Sequence, residues 1–464
     1  VTRCCNRIAL ILAMIMTTSS SAMDDTQTTR PANVQAAFDA MEAEQIGNDL
    51  VGREGHMGRK IPVMKAISTF QKRVVRTPDD FRSMTVLGQL YIRLGKETGS
   101  HSAYVSAEKS LRSALEMSPD HLTAITWLAV ALQAQHRFRE ALPLAEKAWS
   151  ANPHDTMALA TIGDCQFHLG RVTQASDTWQ KLVEAEGRVA PVLARLARLA
   201  QLAEIQGDPQ QAISLIEEAR DAVHAAGHAD AAVAWYELRL ASLHHAIDAA
   251  EEARVHYQTA LEFDNDLHEA RIGLGRLLAE HGDMELATDL LEEAVQASGS
   301  ASAMIGLGDV LQVQGHADTA NAWYDRAEGI LLKELATSGT AHQRDVSRFF
   351  SDRQQSPLRA VDLAKQDLRC RSDIFAHDTL AWALHRNGQH IEAALVMQRA
   401  LQHHVQDARL HFHAGMIFGA SGQSEKAVQH LTMALQINAH FDLLDAKIAR
   451  QKLTELEALA TAKF

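Results

Sequence analysis

From about residue 81 onward the apolar positions of this chain fall at intervals of three and four, in paired blocks separated by short polar turns. That spacing predicts amphipathic helices. Small residues mark a second, longer period. Between Leu122 and Asp155 the pattern runs Leu128-Ala129, Leu132, Ala141, Ala145, Ala148 and Pro153, and from Thr156 it starts again with Ile162-Gly163, Gly170, Ala175 and Trp179 at the same places. The beat is about 34 residues, within the range of periods at which stacked repeats occur. Aligning a small residue at the eighth place of each unit with an alanine at the twentieth gives units that start at 81, 122, 156, 193, 234, 268, 301, 341, 374 and 408. Each unit reads as two helices, and neither can stand alone, because its apolar stripe needs a neighbour. Small residues at places 8 and 20, such as Gly163 with Ala175, predict close approach of the two helices within a unit. Large ones at place 24, such as Trp179 and Leu291, predict filling toward the next unit. Glycines recur at place 15, just past the first helix, where a left-handed cap favours them. Pro119 and Pro153 close second helices, and Pro143 falls within about five residues of a helix start, where a missing donor costs least.

These places resemble the tetratricopeptide repeat family, whose helix-turn-helix motif carries a large residue at 4, Leu-Gly at 7 and 8, Tyr at 11, Ala at 20, Phe at 24, Ala at 27 and Pro at 32. The resemblance rests on Leu87-Gly88 with Tyr91, Leu274-Gly275 with Ala287 and Ala294, Leu307-Gly308 with Ala320, Tyr324 and Ala327, and Gly415 with Ala427 and Ala434. It covers residues 81 to about 441. Ala66, Phe70 and Pro78 hold places 20, 24 and 32 of a half unit that would begin at 47. The resemblance implies an all-α, right-handed superhelical solenoid over residues 61–441, a half repeat plus about ten, that binds a protein or peptide partner in its concave groove. Arg76-Thr-Pro-Asp-Asp-Phe81, Lys96-Glu-Thr-Gly99 and Asp378-Thr-Leu-Ala-Trp-Ala-Leu384 resemble a group of exported bacterial members loosely described as pilus-assembly-like. Two units depart from the pattern. The stretch 96–103 is expected to lengthen the first turn, and the unit at 341 has Arg348 where a small residue belongs, although Pro357, Ala360 and Ala364 suit a second helix. Residues 442–464 read as a polar C-terminal capping helix, which open solenoids need.

Composition narrows the partner class. Of 464 residues 46% are hydrophobic, and the 25 glycines and 9 prolines are too few for a strand-and-turn architecture. With 58 acidic against 45 basic residues the net charge is −13, which leaves no basic surplus for phosphates and argues against nucleic acid or an anionic membrane. At the N-terminus Arg3 and Arg7 precede the apolar run Ile8 to Met16, followed by Thr17-Thr-Ser-Ser-Ser-Ala22, the pattern of an export signal. That apolar run is too short to span a bilayer. Cleavage after Ala22 is therefore expected, with no membrane insertion afterwards; a short N-terminal anchor is the alternative. Val1 reads as a GTG start translated literally, which with the short signal points to the periplasm of a Gram-negative bacterium. Cleavage leaves a flexible segment over 23–60 and two cysteines, Cys165 and Cys370, several repeats apart and so expected to be free thiols.

Catalytic patterns are thin. Gly273-x-Gly275 matches part of a dinucleotide fingerprint, but no strand precedes it and helix spacing explains both glycines; His268-Glu269 lacks the second histidine of a zincin helix. No enzyme and no cofactor are expected. The 24 histidines, including His244-His245, His403-His404 and His411-x-His413, raise metal handling as an alternative, yet 411 and 413 leave a helix on different faces and no further ligand follows at ligand spacing, so no metal site is assigned. The expected role is a scaffold or adaptor of the cell envelope. Its alternative is a regulatory or substrate-presenting arm of an envelope enzyme, secretion, pilus or polysaccharide-export complex.

In this family places 5, 9, 12 and 13 of the first helix face the inside of the superhelix. At 374 they are Asp378, Trp382, His385 and Arg386, and the neighbouring helix adds Phe412 and Met416. An exposed tryptophan beside arginine suits a binding hot spot, with methionine adapting to varied partners; the alternative is that Trp382 only packs between adjacent first helices. Asp164, Phe167 and His168 form a second candidate at 156. The lysine and asparagine cluster that clamps a C-terminal carboxylate in chaperone-binding members is missing from places 5 and 9, which read Thr85 and Gln89, Thr126 and Val130, Ala160 and Asp164, Ala197 and Gln201.

Overall fold

A computed structural model describes residues 63–98, 100–186, 192–225, 230–338 and 342–461; the expected signal at 1–22 and the segment 23–60 lie outside these residues. The chain divides into two units, 1–46 and 47–464, and every described residue belongs to the second. Among the described residues there are 22 helices and no strand. The first, α1 (Val63–Arg76), is the second helix of the half unit, with Ala66 and Phe70 buried.

Ten antiparallel helix pairs follow: α2 (Phe81–Thr98) with α3 (His101–Met117), α4 (Leu122–Ala134) with α5 (Phe138–Ala151), α6 (Thr156–His168) with α7 (Val172–Glu186), α8 (Val192–Ile205) with α9 (Pro209–Ala225), and α10 (Asp230–Ala246) with α11 (Ala250–Phe263). Then come α12 (His268–Glu280) with α13 (Met284–Ser298), α14 (Ala301–Val313) with α15 (Ala317–Ser338), α16 (Gln343–Asp352) with α17 (Pro357–Cys370), α18 (Ile374–Arg386) with α19 (His390–Ala400), and α20 (Ala408–Ala420) with α21 (Ser424–Ile437). A last helix, α22 (Asp445–Thr461), packs on α21 and buries Ala449 and Leu456. The fold is an all-α solenoid.

Several first helices begin at polar caps, and each second helix buries alanine. Asp155, Asp373 and Asp407 accept the backbone N–H of Ala158, Ala376 and Leu410 at 3.0, 2.8 and 2.8 Å, satisfying donors that a helix start leaves open. Ala141, Ala175, Ala287 and Ala427 at place 20 have no exposed surface. A Cβ on Gly163 would lie 2.4 Å from the indole nitrogen of Trp179, and one on Gly415 would lie 2.6 Å from Leu431 Cγ. The place-8 glycines thus make room for the place-24 side chain of their own repeat, and Trp179, expected to fill toward the next unit, packs on Gly163 and donates to Asp164 of its own.

Two expectations about irregular units are corrected. Residues 96–103 do not form a long turn: α2 runs on to Thr98 and α3 starts at His101. Continuing the helix keeps its backbone bonds closed, and Gly95 lets the Tyr104 ring lie against it, where a Cβ would come within 2.6 Å of that ring. In the unit at 341 the small residue is Ser347, one place early, whose buried hydroxyl donates to the Ala360 carbonyl at 2.8 Å. Arg348 turns away toward Asp378, 3.5 Å off.

The rotation from repeat to repeat brings the chain back onto itself. The Ser372 amide donates to the His168 carbonyl at 2.9 Å, the Asn438 side chain donates to the His245 carbonyl at 2.7 Å, and the Ala439 amide donates to Asp248 at 3.2 Å. Between these two crossings Gly207 meets the His404 carbonyl. In each case the turn inside one repeat touches the linker that precedes the unit six places later. Arg139 reinforces the first crossing by donating to the Arg369 carbonyl at 2.7 Å and to Ser372 at 3.1 Å. Cys165 is buried and Cys370 half-buried, and both are free.

Gly207 and Gly388 have the same left-handed backbone, φ +79 and +80, but only Gly207 has a neighbour, the His404 carbonyl oxygen 2.0 Å from where a Cβ would sit. Gly388→Ala should cost about 1–2 kcal/mol for the backbone alone. Gly207→Ala should cost about 1–3 kcal/mol more through overpacking and raise amide exchange at 404–406. Equal melting temperatures for the two variants would mean that the turn and the linker do not touch.

Candidate functional site

The first helices α10, α12 and α14 place Ser242, Arg276 and Asp309 at place 9 of their repeats, and Arg353 follows the end of α16 at place 13; together they line a cavity of about 420 Å³. Its other wall is the start of α20, with Arg409, and the segment 438–445 between α21 and α22. Oppositely charged groups are paired across it. Arg353 pairs with Asp309 and lies 3.9 Å over the Tyr324 ring, whose hydroxyl donates to Asp309 at 2.8 Å. Arg409 pairs with Asp442, and His245 sits 2.6 Å from Glu280. Asp445 is the exception. Burial, with Asp442 and Asp352 repelling it more than Arg409 offsets, pushes its carboxyl up to about 7. The surface can therefore grip an extended, polar chain through charge-assisted bonds, and part of it changes charge near neutrality.

The 438–445 segment closes this groove on one side. Asn438 is buried, Phe441 packs 5.5 Å from the Phe412 ring, and the next residue, Asp442, pairs with Arg409, so an aromatic side chain and the carboxylate after it are held together.

The residues singled out at 374 and 408 sit behind that wall. Trp382 is only 3% exposed and Phe412 1%, which corrects the expectation of an exposed anchor in favour of the packing alternative. The reason is ring stacking between adjacent first helices: the indole lies between His413, 4.2 Å away, and His385, 5.1 Å away, with Arg386 5.2 Å over its face. Its N–H donates to Asp352 at 2.8 Å. Arg386 is turned to the Ser351 carbonyl at 3.0 Å, and Met416 is half-buried against the core. Asp378 is buried too. Burial alone would raise its carboxyl, but His413 at 2.8 Å, Arg348 and Arg409 hold it below the usual range. Burial pushes His385 down to about 3, helped by His390 and Arg386, so this imidazole stays neutral.

The second candidate is likewise committed to structure. Asp164 accepts from Arg198 at 2.5 and 2.8 Å, from Gln133 at 2.9 Å and from Trp179 at 3.2 Å. Phe167 is buried, and His168 stacks 4.4 Å from Phe138 while reaching Asp373 in the first crossing. His411 and His413 do leave α20 in different directions, one to His430 and the other to Asp378.

Tetratricopeptide-repeat family models match residues 132–202 and 272–331. The chain carries tetratricopeptide repeats. No curated protein sequence matches it. Among solved structures, the crystal structure of yeast Tom70 is similar at 12% identity over 91% of this chain and 97% of that one, with a TM-score of 0.34. In these tetratricopeptide repeats place 9 lines the groove at Ser242, Arg276 and Asp309 and place 13 at Ala246, Glu280 and Arg353, whereas Phe349 is buried and Val313 lies outside the cavity. On α18 the same places are covered by the helix on either side.

Trp382→Ala should lower stability by about 3–5 kcal/mol, since it empties a buried ring site; a folded variant of unchanged melting temperature would return the residue to the surface. Asp445 titrates higher when folded than the ordinary carboxylate value, so its contribution is favourable at low pH and is lost as pH rises through about 7. Asp445→Asn should therefore raise the melting temperature at pH 8, with the gain shrinking toward pH 4. A gain equal at all pH values would point to packing instead of charge.

Proposed function

We propose that this chain is a non-catalytic scaffold or adaptor that holds an extended segment of a partner protein in its inner groove, and that it works in the bacterial periplasm after cleavage behind Ala22. The carrying observation is the cavity that Ser242, Arg276, Asp309 and Arg353 open toward the Phe441-Asp442 wall, a recess lined by both signs of charge. Repeats of this kind stack into surfaces suited to binding other chains. The arginines at 276, 353 and 409 stand there among Glu280, Asp309, Asp352, Asp407, Asp442 and Asp445, so the surface suits a polar partner segment that carries both signs of charge. The export reading is supported by the order of charges, apolar run and small residues before Ala22. No described helix is long and apolar enough to cross a membrane.

A photo-cross-linking side chain at Ile305, in the cavity wall, should capture a discrete partner from native cells, and Arg276→Glu should weaken that capture by about tenfold or more. A cross-linker at Ile391, exposed on the second helix α19, is the control. Capture at 391 that Arg276→Glu leaves unchanged, with none at 305, would move the partner to the outer face. Full-length protein retained in the cytoplasm would overturn the periplasmic setting and leave the scaffold reading standing.

A further inference from the structure

We propose that Asp248, His281 and His440 form a binding site for one zinc ion at the last crossing of the solenoid. The three come from separate elements: the turn after α10, the residue that ends α12, and the linker between α21 and α22. Their ligand atoms all lie within 4.8 Å of one another. His440 Nδ1 is 3.2 Å and His281 Nε2 is 3.6 Å from the same Asp248 oxygen, Oδ1. Zinc bonds of about 2.0–2.1 Å in a tetrahedron set neighbouring ligand atoms roughly 3.3 Å apart, so both separations match a tetrahedral edge to within a few tenths of an ångström.

The hydrogen bonds around the cluster orient it for a cation. His281 Nδ1 lies 2.9 Å from the Leu277 carbonyl, which can only accept, so Nδ1 carries a proton and the neutral imidazole turns its Nε2 lone pair toward Asp248. A lone pair facing a carboxylate oxygen is repulsive unless a cation or a proton lies between them. A backbone carbonyl on the far nitrogen is also the usual way a metal-bound imidazole is held. Asp248 is prepared in the same sense: Oδ2 accepts the Ala439 amide at 3.2 Å, which leaves Oδ1 to the two imidazoles. The His440 backbone is fixed by Asn438, whose side-chain oxygen accepts its amide at 2.6 Å while its nitrogen donates to the His245 carbonyl. All three side chains keep 27–42% of their surface exposed, so an ion can enter and water can complete the fourth position. Two nitrogens and one carboxylate suit zinc. Bound there, the ion ties the segment that walls the groove to the turn after α10, on the opposite side of the crossing.

The test uses the full chain purified without a histidine tag and stripped of metal. Cobalt(II) should bind at one tight equivalent with the visible bands of a four-coordinate site, zinc chloride should displace it, and zinc should raise the melting temperature. His281→Gln and Asp248→Asn should each weaken this binding by about 100-fold or more, whereas His154→Gln, an exposed histidine elsewhere, should leave it unchanged. Circular dichroism shows whether each variant is folded, and His281→Gln removes a ligand without touching the Asp248 contact to the Ala439 amide. Weak binding of several equivalents that neither variant alters would overturn the proposal, leaving a hydrogen-bonded aspartate and two histidines.

Discussion

Everything in this solenoid depends on how closely the two helices of a repeat approach. Large side chains at place 24, such as Trp179, Tyr324 and Leu431, press on the glycine at place 8 of the same repeat and leave no space for a Cβ there, while alanine at place 20 is fully buried. Because each repeat stacks on the one before, a change in that spacing is repeated at every step and multiplied along the chain. Six steps separate each turn from the linker it meets, so a small error per repeat would move those surfaces apart or drive them together.

The crossings convert that accumulated geometry into specific contacts. At the first of them Asp373 caps α18 and also receives Arg344 at 2.9 Å, with His168 3.6 Å away. Burial works against its charge, but His168, Arg344 and the Ala376 amide together hold the carboxyl far below its ordinary value. Asp367 beside it is fully buried between Arg344 and Arg371. A buried carboxylate without such partners would cost several kcal/mol. The network therefore favours one alignment of the two turns over any slipped one, and the last of the crossings borders the groove where 438–445 lies.

Much of this was legible in the sequence, and what was not has a physical reason. Ser242, Arg276 and Asp309 lie in the groove at the inward place that periodicity assigns, yet Trp382 holds that place as well and is buried. Position within a repeat says which way a side chain leaves its helix, but not whether a neighbouring helix stands in the way. His413 and Asp352, which cover Trp382, come from the first helices of the following and the preceding repeat. The irregular unit shows the opposite limit: Arg348 breaks the motif, and a serine one place earlier does the packing, because a shorter helix shifts the point of closest approach.

The sequence by itself determined the helical class, the repeat period and the small residues at places 8 and 20, since all of these follow from residues within one or two repeats of each other. Tertiary structure alone decided which inward residues stay accessible, that the chain's own segment 438–445 walls the groove, and that Asp248, His281 and His440 meet. Those outcomes depend on the sum of many small rotations from one repeat to the next, and no local spacing contains that sum.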